Sequence, residues 1–323
     1  MVSLNLIIDG NYLLQKNIQI LFKNKILYSE LYNVLERDFN VLTRLFNFKD
    51  TFFISDSHSN WRKEYFPELK GTRKKDDLID WKFVYEEYKK LKTLVDSKKT
   101  VNLCEVDQME GDDLIAFVTD KLNKKGESVF IVSCDSDIYQ KIYFDGLDYK
   151  FMNMMYNYKF NDERVYLPEQ YKRYINYVDQ HNDEDDIFQS NTDTEFLEFF
   201  DRFLHGKKIV DINSEFELFK KIMGHGKDNI KSIFMQGNRG IGETGIETVY
   251  GLFKSTYPGT IDFDDPIFET NLLDIIKFHK RIKDDSYDDS MKERLKRNLK
   301  IVKLDEKSCP QKLYENMNTL IKI

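Results

Sequence analysis

Four short runs of β-favouring residues occur in the first half of the chain, separated by longer stretches with helical periodicity. The runs cover residues 4–8, 51–55, 101–106 and 129–133. Strands that alternate with helices predict a parallel sheet, because each connection between parallel strands must cross over the sheet. We therefore expect an α/β fold with a central, twisted and mostly parallel sheet flanked by helices, followed by a helical C-terminal region.

Acidic residues follow all four predicted strands. They are Asp9, Asp56, Asp107 with Glu110, and Asp135 with Asp137. In a parallel α/β sheet the carboxyl ends of the strands share one edge, and ligands bind there. The sequence therefore predicts one acidic cluster at that edge.

Two more acids belong to the stretch Glu110-Gly111-Asp112-Asp113. Acids in the first turn of a helix are favoured by about 0.3–1 kcal/mol each, which would explain one or two of them. Acids gathered from several strand ends would repel one another unless a cation neutralised them. Oxygen-only ligand sets suit Mg²⁺ or Mn²⁺. Two such ions about 3.5–4 Å apart stabilise both oxygens of a phosphoryl displacement, so we expect phosphodiester chemistry.

The charge of the chain is unevenly distributed. The net charge of −7 does not by itself indicate a nucleic-acid binder. Residues 62–75 nevertheless hold six basic side chains against two acidic ones, and residues 105–145 hold ten acidic against four basic. A basic segment that faces an acidic centre suits an anionic polymer held over metal ions. Two solvated faces of unlike sign explain the charge pattern equally well.

The composition is that of a globular chain. Its 323 residues, 41% of them hydrophobic, suffice for one large core or two modest ones. No apolar run reaches the roughly 18 residues of a membrane span, and the apolar start lacks a basic leader. Cys104, Cys134 and Cys309 lack metal-ligand spacing, which favours reduced thiols. We expect a cytoplasmic monomer.

Other chemistries have less support. The five histidines are scattered without a zinc signature, and neither a Gly-x-Ser-x-Gly motif nor a P-loop is present. One competing motif is Gly-x-Gly-x-x-Gly at residues 240–245, with 232–235 as a possible preceding strand, but a dinucleotide fold starting there would have only about 80 residues left. A glycine-rich hairpin between two helices would instead offer the backbone of Gly240, Gly242 and Gly245 to duplex phosphates.

Three regions follow from these patterns. Residues 1–178 form the predicted α/β domain, which includes a long lysine-rich segment at 61–99. Residues 179–196 are an acidic polar run, which is typical of a surface loop. Residues 197–323 form the predicted helical region, with a helix-hairpin-helix segment at 223–254.

An ordered set of motifs resembles the flap endonuclease and 5′ exonuclease family, and within it the branch that contains the ribonuclease H of T-even bacteriophages. The motifs are Ile7-Ile8-Asp9-Gly10-Asn11, Ser55-Asp56, the segment 61–73 with its arginine, proline and Lys-x-x-Arg, Glu110-Gly111-Asp112-Asp113, and Ser133-Cys134-Asp135-Ser136-Asp137. Glu110-Gly111-Asp112-Asp113 stands where the family has Glu-Ala-Asp-Asp. The resemblance covers nearly the whole chain in order and implies the PIN-like fold of 5′ nucleases.

The resemblance also implies site residues. A first metal ion would be held by Asp9, Asp56, Glu110, Asp112 and Asp135, and a second by Asp113, Asp137 and Asp228. Lys70 and Arg73 would contact the scissile phosphate and stabilise charge that develops there. Arg62 would also bind nucleic acid. The segment 61–99, chiefly its part after Arg73, would form part of an arch or clamp for a single-stranded 5′ end. His225 departs from the family, because an Asp is usual there and imidazole is a poorer Mg²⁺ ligand.

The function implied is that of a Mg²⁺-dependent 5′–3′ nuclease, in which Mn²⁺ would be a possible substitute. It would cleave RNA–DNA hybrids and branched or flapped DNA at the 5′ end, as in primer removal during replication. A single-strand DNA-binding protein and a sliding clamp would be partners, and the location would be the host cytoplasm if a phage encodes the chain. A non-catalytic junction-binding protein and a dinucleotide enzyme built on Gly240–Gly245 remain as alternatives.

Overall fold

The computed structural model describes most of the chain. The described residues are 4–23, 28–57, 59–69, 76–144, 151–158, 162–169, 171, 200–224, 230–236, 239–280 and 288–323. The predicted acidic run at 179–196 lies outside them.

The strands of the described chain include one seven-stranded sheet. In chain order its strands are β1 (Leu4–Asp9), β2 (Thr51–Ile54), β3 (Val101–Cys104), β4 (Ser128–Val132), β5 (Asn153–Asn157), β6 (Arg164–Pro168) and β7 (Lys208–Ile212). Their spatial order is β3-β2-β1-β4-β5-β6-β7. Neighbouring strands pair in parallel except for the antiparallel pair of β5 and β6. The predicted α/β class with a mostly parallel sheet is thereby confirmed.

Helices connect these strands and make up most of the later chain. They are α1 (Gly10–Lys23), α2 (Leu31–Leu42), α3 (Trp61–Tyr65), α4 (Trp81–Asp96), α5 (Gly111–Asn123), α6 (Ser214–Met223), α7 (Glu243–Thr256), α8 (Pro266–Lys280), α9 (Asp288–Val302) and α10 (Gln311–Leu320). Every residue of β1, β2 and β4 is buried, as expected for central strands with helices on both faces. The near-continuous apolar character of these strands therefore reflects burial on both sides.

Helix α4 belongs to the layer that covers the sheet. Its buried side chains Val84, Tyr88, Leu91 and Val95 join the main core. Asp80 caps the helix by accepting the N–H of Phe83 at 3.1 Å. Residues 81–96, which lie within the predicted arch segment 61–99, form a packed crossover helix between β2 and β3.

The chain divides into two compact units. The first unit comprises Met1–Asn60, Asp76–Asn213 and Gln311–Ile323, and the second comprises Trp61–Lys75 and Ser214–Pro310. This division differs from the predicted boundaries at 178 and 197. Leu69 packs in the same core as Phe219, which assigns the segment after Asn60 to the second unit. Tyr314 of α10 lies edge-on to Phe117 of α5, with ring centroids 5.4 Å apart, so the C-terminal helix belongs to the first unit.

The remaining predictions concern thiols and membranes. Cys104 and Cys309 are buried free thiols, and Cys134 is an exposed one. Among the described helices, none has the length and apolarity needed to cross a bilayer.

Candidate metal centre

The strand order reverses direction between β1 and β4, which makes this the switch point of the sheet, where α/β folds bind ligands. Asp9 is the last residue of β1, and Ser133 directly follows β4. The Ser133 hydroxyl donates to Asp9 Oδ2 at 2.7 Å and accepts the backbone N–H of Asp135 at 3.1 Å. One small polar side chain therefore joins the acidic ends of both central strands.

The environment of Asp9 is unfavourable to its charge. Asp9 is 9% exposed. Burial above all, with a smaller contribution from the negative charges of Asp56 and Asp135, raises its carboxyl pKa to about 6, against the opposing hydrogen bonds from Tyr12 N–H and Ser133. Acids from three strand ends are thus close enough to repel one another, as the sequence predicted. A cation bound among them would relieve that repulsion.

Gly10 explains how α1 can begin directly after Asp9. A Cβ atom at Gly10 would lie 2.3 Å from the Tyr88 hydroxyl oxygen and 2.7 Å from the Ile54 carbonyl oxygen. No side chain fits there without displacing backbone. The glycine therefore allows α4 and β2 to approach the start of α1 closely.

Asp112, Asp135 and Asp137 form the tightest group of acids at this edge. Each offers a carboxylate oxygen, and these oxygens lie within 4.8 Å of one another on half-buried side chains. Asp135 Oδ1 also accepts the backbone N–H of Asp137 at 2.9 Å, which fixes the turn after β4. An oxygen-only donor set of this kind fits a hard divalent cation such as Mg²⁺ or Mn²⁺.

The first turn of α5 supplies further acids. Glu110 occupies the N-cap position, but its side chain accepts no capping hydrogen bond from the helix. Capping therefore does not account for this acid. Asp113 is buried, at 6% exposure. Asp56 reaches this turn from the end of β2, where its Oδ1 accepts the N–H of Gly111 at 2.5 Å.

Arg62 does not fit its predicted role in nucleic-acid binding. It is 3% exposed, its Nε donates to the carbonyl of Ile301 at 2.9 Å, and its guanidinium lies 4.5 Å from the ring centre of Trp61. Its cationic group is thus used inside the second unit. The prediction failed because a basic run in the sequence shows charge but not burial. The predicted site residues Lys70, Arg73 and Asp228, and also His225, lie outside the described residues.

The glycine-rich segment forms a hairpin. Strand β8 (Met235–Gln236) pairs antiparallel with β9 (Arg239–Gly240), and α7 follows with Gly242 at its N-cap. Among the described residues, the helix that precedes this strand pair is α6, which ends at Met223, where the predicted helix-hairpin-helix segment 223–254 begins. An antiparallel pair of two-residue strands cannot open a dinucleotide-binding unit, which requires a parallel sheet, so that alternative is wrong.

The three glycines of this hairpin differ in their surroundings. A Cβ atom at Gly240 would lie 2.4 Å from Ser232 Cβ, and one at Gly245 would lie 2.8 Å from Ile241 Cγ2, so both are required by packing. Around Gly242 nothing lies within 4 Å of the corresponding position. The N-terminus of α7 is therefore open at this residue.

Sequence reasoning missed the residues that support the acids. Ser133 and Gly10 were noticed as parts of motifs, yet their roles depend on contacts with residues far along the chain. A small residue beside each strand-end acid was the available signal. It could not show which partner each would meet.

Comparisons with known proteins show the family and the fold. A family model described as the 5′-3′ exonuclease N-terminal resolvase-like domain matches residues 5–177, just over half of the chain. A 5′-3′ exonuclease from Mycoplasmopsis pulmonis is 27% identical over 253 residues, which cover 77% of this chain and 67% of that protein.

Solved structures share the fold. A bacteriophage T5 5′-exonuclease with bound zinc has a TM-score of 0.56 at 17% identity, and the match covers 98% of this chain and 97% of that one. A T5 flap endonuclease, described as a pseudo-enzyme-product complex with DNA and metal ions, has a TM-score of 0.58 at 17% identity with the same coverage. The fold, the acidic edge and the relatives define a nuclease that hydrolyses phosphodiester bonds. The chain belongs to the 5′-3′ exonuclease family.

Proposed function

We propose that this protein is a Mg²⁺-dependent 5′–3′ nuclease that acts at the 5′ end of RNA hybridised to DNA and of DNA itself, including 5′ flaps. The main observation in support of this proposal is the group of Asp112, Asp135 and Asp137 at the switch point of the sheet. Family membership and the metal ions named for the T5 enzymes support the same conclusion. The order of motifs in the sequence supports action on RNA primers during replication.

The acids would divide between two ions. Asp9, Asp56, Glu110, Asp112 and Asp135 would hold the first, and Asp113, Asp137 and Asp228 the second. When bound, the ions would supply Lewis-acid activation of water and stabilisation of charge on the reacting phosphate. The chain's own part is to fix the carboxylates: Ser133 orients Asp9, and the N–H of Asp137 orients Asp135. Carboxylate oxygens without nitrogen or sulfur favour Mg²⁺, with Mn²⁺ as a substitute, over zinc.

Basic side chains and a glycine-rich segment would bind the substrate. Lys70 and Arg73 would contact the scissile phosphate, and their cationic side chains suit charge that develops there. The hairpin at Gly240 and the open N-terminus at Gly242 would contact duplex phosphates through backbone N–H groups, without reading sequence. We further propose that the protein is a cytoplasmic monomer. Its partners would be a single-strand DNA-binding protein and a sliding clamp.

Cleavage of two matched 5′-labelled substrates tests this function. One is an RNA primer annealed to DNA, and the other is a 5′ DNA flap, each with and without Mg²⁺. We expect Mg²⁺-dependent products that are lost in Asp135→Asn while binding to the flap is kept. Asp96→Asn, at an exposed acid that ends α4, serves as the matched control and should cleave like the wild-type protein.

The outcomes separate the alternatives. Continued turnover by Asp135→Asn would remove Asp135 from the metal centre. Tight flap binding by the wild-type protein without cleavage in Mg²⁺ or Mn²⁺ would mean that the chain holds junctions without cutting them. Product lengths distinguish trimming from flap removal.

A further inference from the structure

Two loops of the first unit meet beside the acidic edge. One follows β2, and the other leads from β3 into α5. The hydroxyl groups of Ser57 and Ser59 donate to the same oxygen, Asp107 Oδ1, at 3.3 and 2.8 Å. We call Ser57, Ser59 and Asp107 the serine clamp. It joins residues about 50 positions apart in the chain.

The backbone of the second loop is shaped to meet the clamp. The N–H of Gln108 is directed at both serine hydroxyl oxygens, at 3.1 and 3.2 Å, and the N–H of Ser57 donates to the Met109 carbonyl at 3.2 Å. Gln108 adopts φ +65°. Among the described non-glycine residues, it alone has a positive φ. Such a conformation is unfavourable for a side-chain-bearing residue and persists where its surroundings fix it. The two loops therefore hold each other in one arrangement.

Two acids of the proposed metal centre lie within the clamped segments. Asp56 immediately precedes Ser57, and Glu110 follows Gln108 by two residues. Asp56 Oδ1 accepts the N–H of Gly111, the first residue of α5. A Cβ atom at Gly111 would lie 2.8 Å from the same oxygen. The position of the Asp56 carboxylate relative to α5 therefore depends on the distance between the two loops.

We propose that Asp107 is a positioning residue, which through the serine clamp sets the placement of Asp56 and Glu110 at the metal centre. This inference rests on the proposed function. Asp107 lies outside the group of acids that could share an ion among the described residues, and its Oδ1 is used by the two hydroxyl groups. It acts on metal binding through the loops that carry the ligands. Groups that hydrogen-bond directly to metal ligands commonly change metal affinity by about 10–100-fold when they are replaced. Asp107 acts one contact further away, so we expect an effect at the lower end of that range.

The test compares Asp107→Ala with Asp107→Asn. The asparagine keeps an oxygen that can accept both hydroxyl groups but removes the charge, whereas alanine removes both. We measure two values: the dissociation constant of Mn²⁺ from the DNA-free protein, by electron paramagnetic resonance, and the Mg²⁺ concentration that gives half-maximal flap cleavage. For Asp107→Ala we expect both values to rise roughly tenfold, with the rate at saturating Mg²⁺ near that of the wild-type protein. Asp107→Asn should stay close to wild type.

Controls keep the test specific. Glu105→Gln removes a neighbouring charge that pairs with Lys92 outside the clamp, and it should change neither value. Ser59→Ala removes the shorter clamp bond with little effect on packing, and it should shift both values in the same direction as Asp107→Ala. Ser59→Ala also replaces Asp107→Ala if the latter fails to fold, as judged by circular dichroism.

Two results would overturn the inference. One is unchanged Mn²⁺ affinity in folded Asp107→Ala or Ser59→Ala. The other is an Asp107→Asn variant as impaired as Asp107→Ala, because charge and not hydrogen bonding would then be responsible. The Mn²⁺ measurement needs no substrate, so a wild-type protein that binds Mn²⁺ without cutting would refute the proposed function and leave the clamp to be judged on affinity.

Discussion

Replacing Asp9 by asparagine is expected to stabilise the metal-free protein at neutral pH. Burial, with the charges of Asp56 and Asp135, raises the Asp9 carboxyl pKa to about 6 from its ordinary value of 3.8. A tenfold change in proton affinity is worth about 1.4 kcal/mol, so an ionised Asp9 costs the folded state about 3 kcal/mol. Asparagine carries no charge and keeps an oxygen that can accept the N–H of Tyr12.

The sign of the pH dependence follows from the raised pKa. The folded protein holds the Asp9 proton more tightly than the unfolded chain does. The resulting stabilisation is complete below about pH 3.8 and is lost as the pH rises to about 6. The free energy of unfolding of the wild-type protein, relative to Asp9→Asn, should therefore fall by about 2 kcal/mol between about pH 4 and pH 7.

Urea unfolding in a chelator, followed by circular dichroism across this pH range, measures the difference between the two proteins. Acids that do not interact with Asp9 titrate in the same way in both proteins, so their contributions cancel. Adding Mg²⁺ at pH 7 should raise the free energy of unfolding of the wild-type protein by mass action and have little effect on Asp9→Asn. A difference between the proteins that does not change with pH would refute the argument that Asp9 is held as a destabilised carboxylate.

Two further predictions concern stability. Gly10→Ala should destabilise the protein by about 1–3 kcal/mol through overpacking. Gly251→Ala, at an open helical position, should be neutral or stabilising in the same urea experiment. Equal effects of the two substitutions would contradict the close approach at Gly10. Asp38→Ala should cost about 3–5 kcal/mol, because it leaves Lys16 buried without its partner at 2.6 Å. The double variant Lys16→Met/Asp38→Leu should recover most of that loss, and a double variant no more stable than Asp38→Ala would show that the pair is not the cause.

The first four of the seven strands and the acidic edge were predictable because both depend on local pattern. All four predicted strands occur within one or two residues of their expected bounds. Once the sheet is parallel, its geometry alone brings the residues after β1, β2 and β4 to one edge. The convergence of Asp9, Asp56 and Asp135 therefore needed no knowledge of side-chain packing.

The interpretations that failed depended on distant contacts. Arg62 looked like a binding residue, but its carbonyl partner at Ile301 lies 239 positions away in the chain. Helix α4 belongs to the lysine-rich segment 61–99, and the local sequence likewise did not show that Tyr88 and its neighbours bury this helix against the sheet. Local sequence gives the charge of a side chain, whereas its exposure is set by whatever packs against it.

The sequence by itself determined the first four strands, the acids that end them, and through them the family and its phosphodiester chemistry. Tertiary structure decided which small residues hold those acids in place: Ser133 between β1 and β4, Gly10 beneath Tyr88, and the serine clamp beside Asp56. The physical reason is that hydrogen bonds and steric contacts act over about 3–4 Å. Residues 50 to 125 positions apart come within that range when the sheet has formed.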